Sequence, residues 1–232
     1  MEGGNDISKN KGTTCTVKYT EAFINSIENY PFDDFLEVVR EAHPEGRIWV
    51  IGSLVYGGII RQLSELDGLG DFYRASPEKS PVDVDFLLEK HVPHVEWIRG
   101  WEPKRTTSKD LFYLRWDEKY RIDLNELHDF NSITVRNTLR KNKGERALPY
   151  NFESFLTGTP LNIQSIAFDP EERIVKGWRG IEAIEKRLIR GNEEYPEVTE
   201  YEARRRGISV ETLIKNKAEE LGFDFELPVD AN

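Results

Sequence analysis

The chain has 232 residues, 38% of them hydrophobic and 32% charged, which suits a folded globular protein with a sizeable core and excludes a disordered chain. Its net charge of −10 argues against broad, non-specific binding to nucleic acid and leaves open only a local basic groove. A single cysteine can form no internal disulfide, and the longest apolar-rich run, residues 48–60, is too short to cross a bilayer. We therefore expect a cytoplasmic protein with no membrane partner.

The first half of the chain alternates helical and strand patterns. Residues 1–18 are expected to form a flexible N-terminal tail. The stretch 20–43, "TEAFINSIENYPFDDFLEVVREAH", has the apolar spacing of one or two helices, with a restart at the proline. Residues 47–52, "RIWVIG", predict a buried strand, and 54–66 predict a helix.

The next part of the chain indicates a loop, a strand and a hairpin. Gly, Pro, Ser and Asp residues mark 67–81 as a loop before the strand "VDVDFLLE" at 82–89. A short helix is predicted over 91–101. Two strand-like runs around a polar turn then predict a hairpin over 110–127, which gives four strands in total.

Beyond the hairpin the patterns are mainly helical. After a basic stretch at 131–149 we predict a helix near 159–168, a short strand or turn at 172–177 and a helix at 180–190. The last part, 197–223, predicts two helices joined at a glycine, and its "EARRR" is most simply a solvated helix face.

The resulting fold class is α+β, with a mixed central sheet flanked by helices and a small helical C-terminal part. We expect three units: the tail 1–18, a catalytic domain over 19–190 and a helical extension over 191–232.

Acidic residues interrupt two of the predicted strands. Asp83 and Asp85 lie two residues apart and therefore point to one face, about 7 Å apart along the strand. Paired carboxylates repel each other, whereas Mg²⁺ with substrate phosphates makes such a pair into a binding site. Asp123, between two apolar residues of the hairpin, would add a third acid, with Glu126 or Asp117 as alternatives if the hairpin register differs.

A phosphate-binding turn is predicted where the first strand ends. Glycine at position 52 lets backbone N–H groups approach an anion, and the start of the following helix adds positive potential. Gly52 and Ser53 would therefore bind a triphosphate whose metal ions are held by the acids of the next strand.

These motifs carry a family resemblance. "GSLVYG" at 52–57 followed by "VDVDF" at 82–86 resembles the Gly-Ser and Asp-x-Asp signature of the DNA polymerase beta-like nucleotidyltransferases, and "RIDLNEL" is similar to their third-acid strand. Residues 161–190 look like the segment that closes the head domain of tRNA nucleotidyltransferases and bacterial poly(A) polymerases.

The resemblance implies the nucleotidyltransferase fold and a Mg²⁺-dependent enzyme, with Mn²⁺ as a substitute, that transfers NMP from an NTP such as ATP to a hydroxyl and releases pyrophosphate. Asp83 and Asp85 would hold both metals, Asp123 would assist the metal that activates the acceptor, and Ser53 would bind phosphates. The first choice of acceptor is a tRNA-like RNA 3′ end, contacted by a basic cluster of Arg136, Arg140, Lys141 and Lys143.

Two other interpretations stay open. The basic cluster could be an ordinary solvated face. Two features are compatible with a catalytically weak nucleotide sensor or partner-binding protein. Ser53 and Asp83 are separated by 29 residues, and "LTGTP" stands where the tRNA enzymes carry an arginine-rich step. A third possibility is a toxin or defence enzyme that modifies tRNA, a protein or a small molecule. The pair His91 and His94 is weak evidence for zinc, since no cysteine lies at ligand spacing.

Overall fold

The computed structural model describes residues 16–28, 30–66, 82–91, 97–105 and 111–228. Most of the predicted tail, the whole predicted loop at 67–81 and the middle of the predicted helix at 91–101 lie outside these ranges. In the part of the chain that is described, no helix is long and apolar enough to cross a membrane.

A seven-stranded mixed sheet forms the centre of the protein, in the order β3-β4-β5-β2-β1-β6-β7. Strands β2 and β5 run parallel, and every other neighbouring pair is antiparallel. The strands are β1 (Ile48–Ile51), β2 (Val82–Leu88), β3 (Trp101–Arg105), β4 (Leu111–Arg115), β5 (Tyr120–Glu126), β6 (Ile166–Asp169) and β7 (Ile174–Gly177). The predicted α+β class with a mixed central sheet is confirmed.

Helices cover both faces of this sheet. They are α1 (Thr20–Ile27), α2 (Phe32–Ala42), α3 (Ser53–Leu66), α4 (Asn131–Asn142), α5 (Phe152–Thr157), α6 (Gly180–Lys186), α7 (Pro196–Arg205) and α8 (Val210–Leu221). Two 3₁₀ turns occupy Leu127–Asp129 and Asn162–Gln164, and a small parallel pair joins β8 (Leu188–Arg190) to β9 (Asp224–Glu226).

The burial of β1 explains why its sequence is continuously apolar. All four of its residues are buried. Ile48 and Val50 belong to the larger core with α1, α2 and α3, whereas Trp49 and Ile51 pack in a second core with α4 and α5. A strand that is covered on both faces needs apolar side chains at every position.

Four sequence predictions need correction. The helix predicted at 180–190 ends at Lys186, and Leu188–Arg190 form β8. The region near 159–168 is not a helix but a 3₁₀ turn followed by β6, and the basic stretch contains helix α4. The described end of the predicted helix at 91–101 is a turn that leads into β3, a strand that was not predicted. The predicted helices at the C-terminal end are confirmed, and the hydroxyl of Ser209 caps α8 by accepting from the Thr212 N–H at 3.0 Å.

Candidate functional site

The parallel pairing of β2 and β5 places two of the predicted acids side by side. In this register Asp85 lies opposite Asp123, and Asp83 lies opposite Arg121. Partners in register on neighbouring strands share a face of the sheet. The structure therefore brings Asp85 and Asp123 together as direct neighbours, with Asp83 one step further along the same face.

The end of β1 faces these acids. Ile51 pairs with Asp85, and the next residue, Gly52, has a positive φ of +74°. A Cβ on Gly52 would lie 2.6 Å from Oδ2 of Asp85, so any side chain there would collide with the carboxylate. Only glycine combines this backbone conformation with this close approach.

Helix α3 begins directly after the glycine. Its exposed first residue is Ser53, and the N–H groups of Val55 and Tyr56 both point to the Gly52 carbonyl oxygen, at 3.2 and 3.4 Å. The first N–H groups of a helix have no acceptor within the helix and carry a partial positive charge. Helix α3 therefore starts at the predicted turn of Gly52 and Ser53, and its positive end lies next to the carboxylates.

The protonation of Asp85 reflects this crowding. Burial, and after it the negative charges of Asp123 and Asp83, together raise the pKa of Asp85 to about 7. A hydrogen bond from Asn125 and the charge of Arg121 act in the opposite direction. A carboxyl group with this pKa is half protonated near neutral pH, and a bound cation would favour its ionised form.

Arg121 lies among the three acids. Its Nη2 donates to Oδ1 of Asp123 at 2.6 Å, its Nε lies 4.0 Å from Oδ1 of Asp83, and its guanidinium lies 4.0 Å above the centre of the Phe112 ring. Sequence reasoning did not identify this residue, although its alternation with Asp123 in "RID" places both side chains on one face.

A cleft of about 410 Å³ opens from Gly52 and Asp85 toward α4 and α7. Glu202 lines its far wall and accepts two hydrogen bonds from Arg205, at 2.7 and 2.8 Å, and one from Arg206 at 2.6 Å. Burial opposes ionisation of Glu202, but these arginines hold its pKa below the usual range. The expectation that "EARRR" is only a solvated face is therefore wrong for Glu202, which is 9% exposed.

The predicted basic cluster lies on and just beyond α4. Lys141 and Lys143 are exposed, while Arg140 donates to the Arg146 carbonyl oxygen at 2.7 Å and pairs with Glu145 at 3.0 Å. A large ligand would therefore contact this cluster through Lys141 and Lys143, at the C-terminal end of α4.

Arg136 does not belong to that surface. Its residue is 1% exposed, and its guanidinium donates to the carbonyl oxygens of Ser132 and Ser154 and to the hydroxyl of Thr157. A Cβ on Gly158 would lie 2.1 Å from its Nη2, so the glycine makes room for the buried cation. The prediction that Arg136 contacts the acceptor is therefore corrected, because its hydrogen-bonding capacity is used inside the protein.

The alternatives for the third acid lie elsewhere. Asp117 is in the turn between β4 and β5, 3.6 Å from the Arg115 side chain. Glu126 contacts His91 and His128 at the end of β5. Asp123 is therefore the acid of this hairpin that neighbours Asp85.

Comparison with known proteins identifies the fold. No family model and no curated protein matches the sequence. Among solved structures, a CCA-adding enzyme in complex with CTP aligns with a TM-score of 0.52 and 12% identity over 90% of this chain and 43% of its own. The Bacillus stearothermophilus CCA-adding enzyme with CTP aligns with a TM-score of 0.50 and 18% identity over 85% and 41%. The chain has the nucleotidyltransferase fold.

This likeness confirms the fold that the motif resemblance implied, and at this identity it concerns the fold alone. The chain spans less than half the length of both aligned enzymes.

The carboxylates of the nucleotidyltransferase fold suit a divalent cation by their chemistry. Carboxylate oxygens are preferred ligands of Mg²⁺ and Mn²⁺, and the pKa of Asp85 is raised by its burial and then by the neighbouring charges of Asp123 and Asp83. Among the described residues the acids do not form a trio of oxygens within 4.8 Å of one another, and Arg121 lies among them. Asp83, Asp85 and Asp123 are the residues that would hold such a cation.

Proposed function

We propose that this protein is a nucleotidyltransferase that transfers NMP from an NTP to a hydroxyl acceptor and releases pyrophosphate. One observation carries the proposal: the Asp85–Asp123 neighbour pair lies against the glycine at the start of α3, within the nucleotidyltransferase fold. A metal–triphosphate complex needs backbone N–H groups for its phosphates and carboxylates for its metal ions, and the closeness of Gly52 to Asp85 supports a site of this kind.

Each residue has a proposed part in this reaction. The N–H groups at the start of α3, with the Ser53 hydroxyl, bind the terminal phosphates, and Asp83 and Asp85 hold the nucleotide and its metal ions in position. Asp123 orients the acceptor hydroxyl. Bound Mg²⁺ or Mn²⁺ supplies the positive charge that activates this hydroxyl and neutralises the phosphates.

The proposed acceptor is the 3′ end of an RNA. Residues at the start of α4, Asn131 and Ser132, line the cleft, and Lys141 follows ten residues later along the same helix. At a rise of about 1.5 Å per residue the basic end of α4 lies roughly 15 Å from the cleft. A strand whose 3′ end enters the cleft would meet the exposed Lys141 and Lys143 with its backbone phosphates.

A first experiment tests the nucleotide site. Mg²⁺ with an NTP should raise the melting temperature of the wild-type protein, and Asp83→Ala with Asp85→Ala should abolish the shift while the protein stays folded. Glu102→Gln with Asp117→Asn, which removes two other acids of the same sheet region, is the matched control and should keep the shift. An equal shift in the Asp83/Asp85 variant would refute the location of the site.

A second experiment tests the acceptor. The protein is incubated with each labelled NTP and pools of RNA, protein and small molecules, and label in RNA is expected. RNA affinity should fall with log salt by about 0.7 per phosphate contact, and Lys141→Glu with Lys143→Glu should reduce the slope by roughly 1.4. Lys186→Glu with Lys215→Glu, on exposed helices elsewhere, should leave the slope unchanged. Label in a protein or a small molecule, without RNA binding, would contradict RNA as the acceptor.

The ion pair of Arg121 with Asp123 favours a second candidate, a nucleotide-binding protein with little catalytic activity. An arginine bound to the third acid would satisfy that carboxylate without a metal ion. The two candidates differ in one result, because the second shows the Mg²⁺–NTP shift but transfers no label to any pool.

A further inference from the structure

Two histidines and a glutamate meet at the ends of the two parallel strands. Glu126 is the last residue of β5, His128 follows it in the 3₁₀ turn, and His91 lies three residues beyond the end of β2. Because Leu88 and Glu126 are in register, both strands end at the same level and deliver these side chains to one place.

The contacts within this group are close. Nδ1 of His91 lies 2.8 Å from Oε2 of Glu126, and Nδ1 of His128 lies 3.2 Å from the same oxygen. The two imidazole rings are 5.2 Å apart between centroids. The three residues each offer a ligand atom, and these atoms lie within 4.8 Å of one another, which no other trio of His, Cys, Asp or Glu achieves in the described ranges.

We propose that His91, Glu126 and His128 form a binding site for a divalent transition-metal ion of the zinc class. Zinc bonds of about 2.0–2.1 Å to nitrogen and oxygen place neighbouring ligands of a tetrahedron roughly 3.3 Å apart. The N···O separations of 2.8 and 3.2 Å lie within about 0.5 Å of this value. Two imidazoles with one carboxylate suit Zn²⁺, Co²⁺ or Ni²⁺ better than Mg²⁺ or Ca²⁺, which prefer oxygen ligands alone.

The burial pattern fits a three-ligand site with an open position. The glutamate side chain is 16% exposed, whereas those of His91 and His128 are 57% and 52% exposed, so an ion held there would face solvent on one side. Water or a ligand group would complete the coordination.

Glu126 also lines the cleft, but the zinc-class group includes none of the acids of the proposed nucleotide site, Asp83, Asp85 and Asp123. Glu126 lies three residues beyond Asp123 along β5, a distance of about 10 Å at the usual rise of a strand. The zinc-class site therefore stands whether or not the proposed transfer reaction is correct. The weak zinc signal of the pair His91 and His94 stays a prediction, since His94 lies outside the described residues.

Equilibrium binding on tag-free, chelator-treated full-length protein tests the site. Zn²⁺ should bind at about one ion per chain at micromolar or lower free concentration, and Co²⁺ at the same site should give visible absorption that Zn²⁺ abolishes. His91→Ala and His128→Ala should each weaken zinc binding at least tenfold, and Glu126→Gln should do the same, because a neutral amide is a poor zinc ligand.

The control variant is Asp83→Asn with Asp85→Asn, which should bind Zn²⁺ as the wild type does while losing Mg²⁺–NTP binding. Circular dichroism and melting in chelator confirm that each variant is folded. The proposal is overturned if the wild type binds no stoichiometric Zn²⁺, or if both histidine variants bind it with wild-type affinity.

Discussion

Replacement of Asp85 by asparagine should change how the stability of the protein depends on pH. The pKa of Asp85 is raised from 3.8 to about 7 in the folded protein. The folded state therefore holds a proton that the unfolded chain has released, and the wild type loses stability as pH rises from about 4 to about 7. Asparagine cannot ionise, so the variant does not undergo this loss.

The size of the effect follows from the shift. The difference between about 7 and 3.8 is roughly 3 pH units, and each unit corresponds to about 1.36 kcal/mol, which gives an upper value of about 4 kcal/mol. The free energy of unfolding of Asp85→Asn minus that of the wild type should therefore be larger above pH 7 than at pH 4, by up to about 4 kcal/mol. For a domain of this size the gain corresponds to a Tm difference of roughly 8–16 °C at most.

Urea unfolding in a chelator-containing buffer, repeated from pH 4 to pH 8, measures this difference. The chelator is needed because a bound cation would stabilise the ionised carboxylate. Asp117→Asn is the matched control, since Asp117 lies in the turn between β4 and β5 beside Arg115 and is not among the groups that shift the pKa of Asp85. A stability difference between Asp85→Asn and wild type that stays constant across this range would refute the assigned burial and charge repulsion.

Two further substitutions test the site and its support. Gly52→Ala should destabilise the protein by about 1–3 kcal/mol, because φ is positive and the new Cβ would lie 2.6 Å from the Asp85 carboxylate. The same substitution should abolish the Mg²⁺–NTP shift. An unchanged Tm with and without Mg²⁺–NTP would contradict the close approach. Arg136→Ala should lower the free energy of unfolding in urea by about 2–4 kcal/mol, since it leaves buried carbonyl oxygens without donors. The control Arg140→Ala should lower it by less than about 0.5 kcal/mol. Equal losses in the two variants would show that Arg136 is not a structural residue.

The strands and helices that carry the site could be predicted because each has a short-range signal. The break after β1 is a glycine directly before a helical pattern, and the hairpin of β4 and β5 has apolar runs on both sides of a polar turn. The alternation of side chains then puts Asp83 and Asp85 on one face without any tertiary information. Parallel pairing of β2 with β5, which makes Asp85 and Asp123 neighbours, depends on long-range contacts and could only be assumed.

Other elements have signals that are ambiguous or missing. Strand β3, "WEPKR", contains Pro103 and three charged residues, and it is tolerated as a strand because it lies at the edge of the sheet. The run "NIQSIAF" contains the 3₁₀ turn and the first three residues of the wholly buried β6, and a short apolar run of this kind fits a helix equally well. The burial of Arg136 depends on Gly158, twenty-two residues away, which composition cannot reveal.

The position of Arg121 bears on how a metal ion and a nucleotide would enter the proposed site. A cation alone would have to displace the proton that the raised pKa keeps on Asp85 and compete with Arg121 for Asp123. Both requirements weaken the binding of a metal ion by itself. A triphosphate removes the competition with Arg121 for Asp123, because its oxygens offer the guanidinium another anionic partner. The start of α3 would bind the remaining negative charge of the phosphates. The charge arrangement of this cleft therefore favours entry of the metal ion together with the nucleotide over entry of the metal ion first.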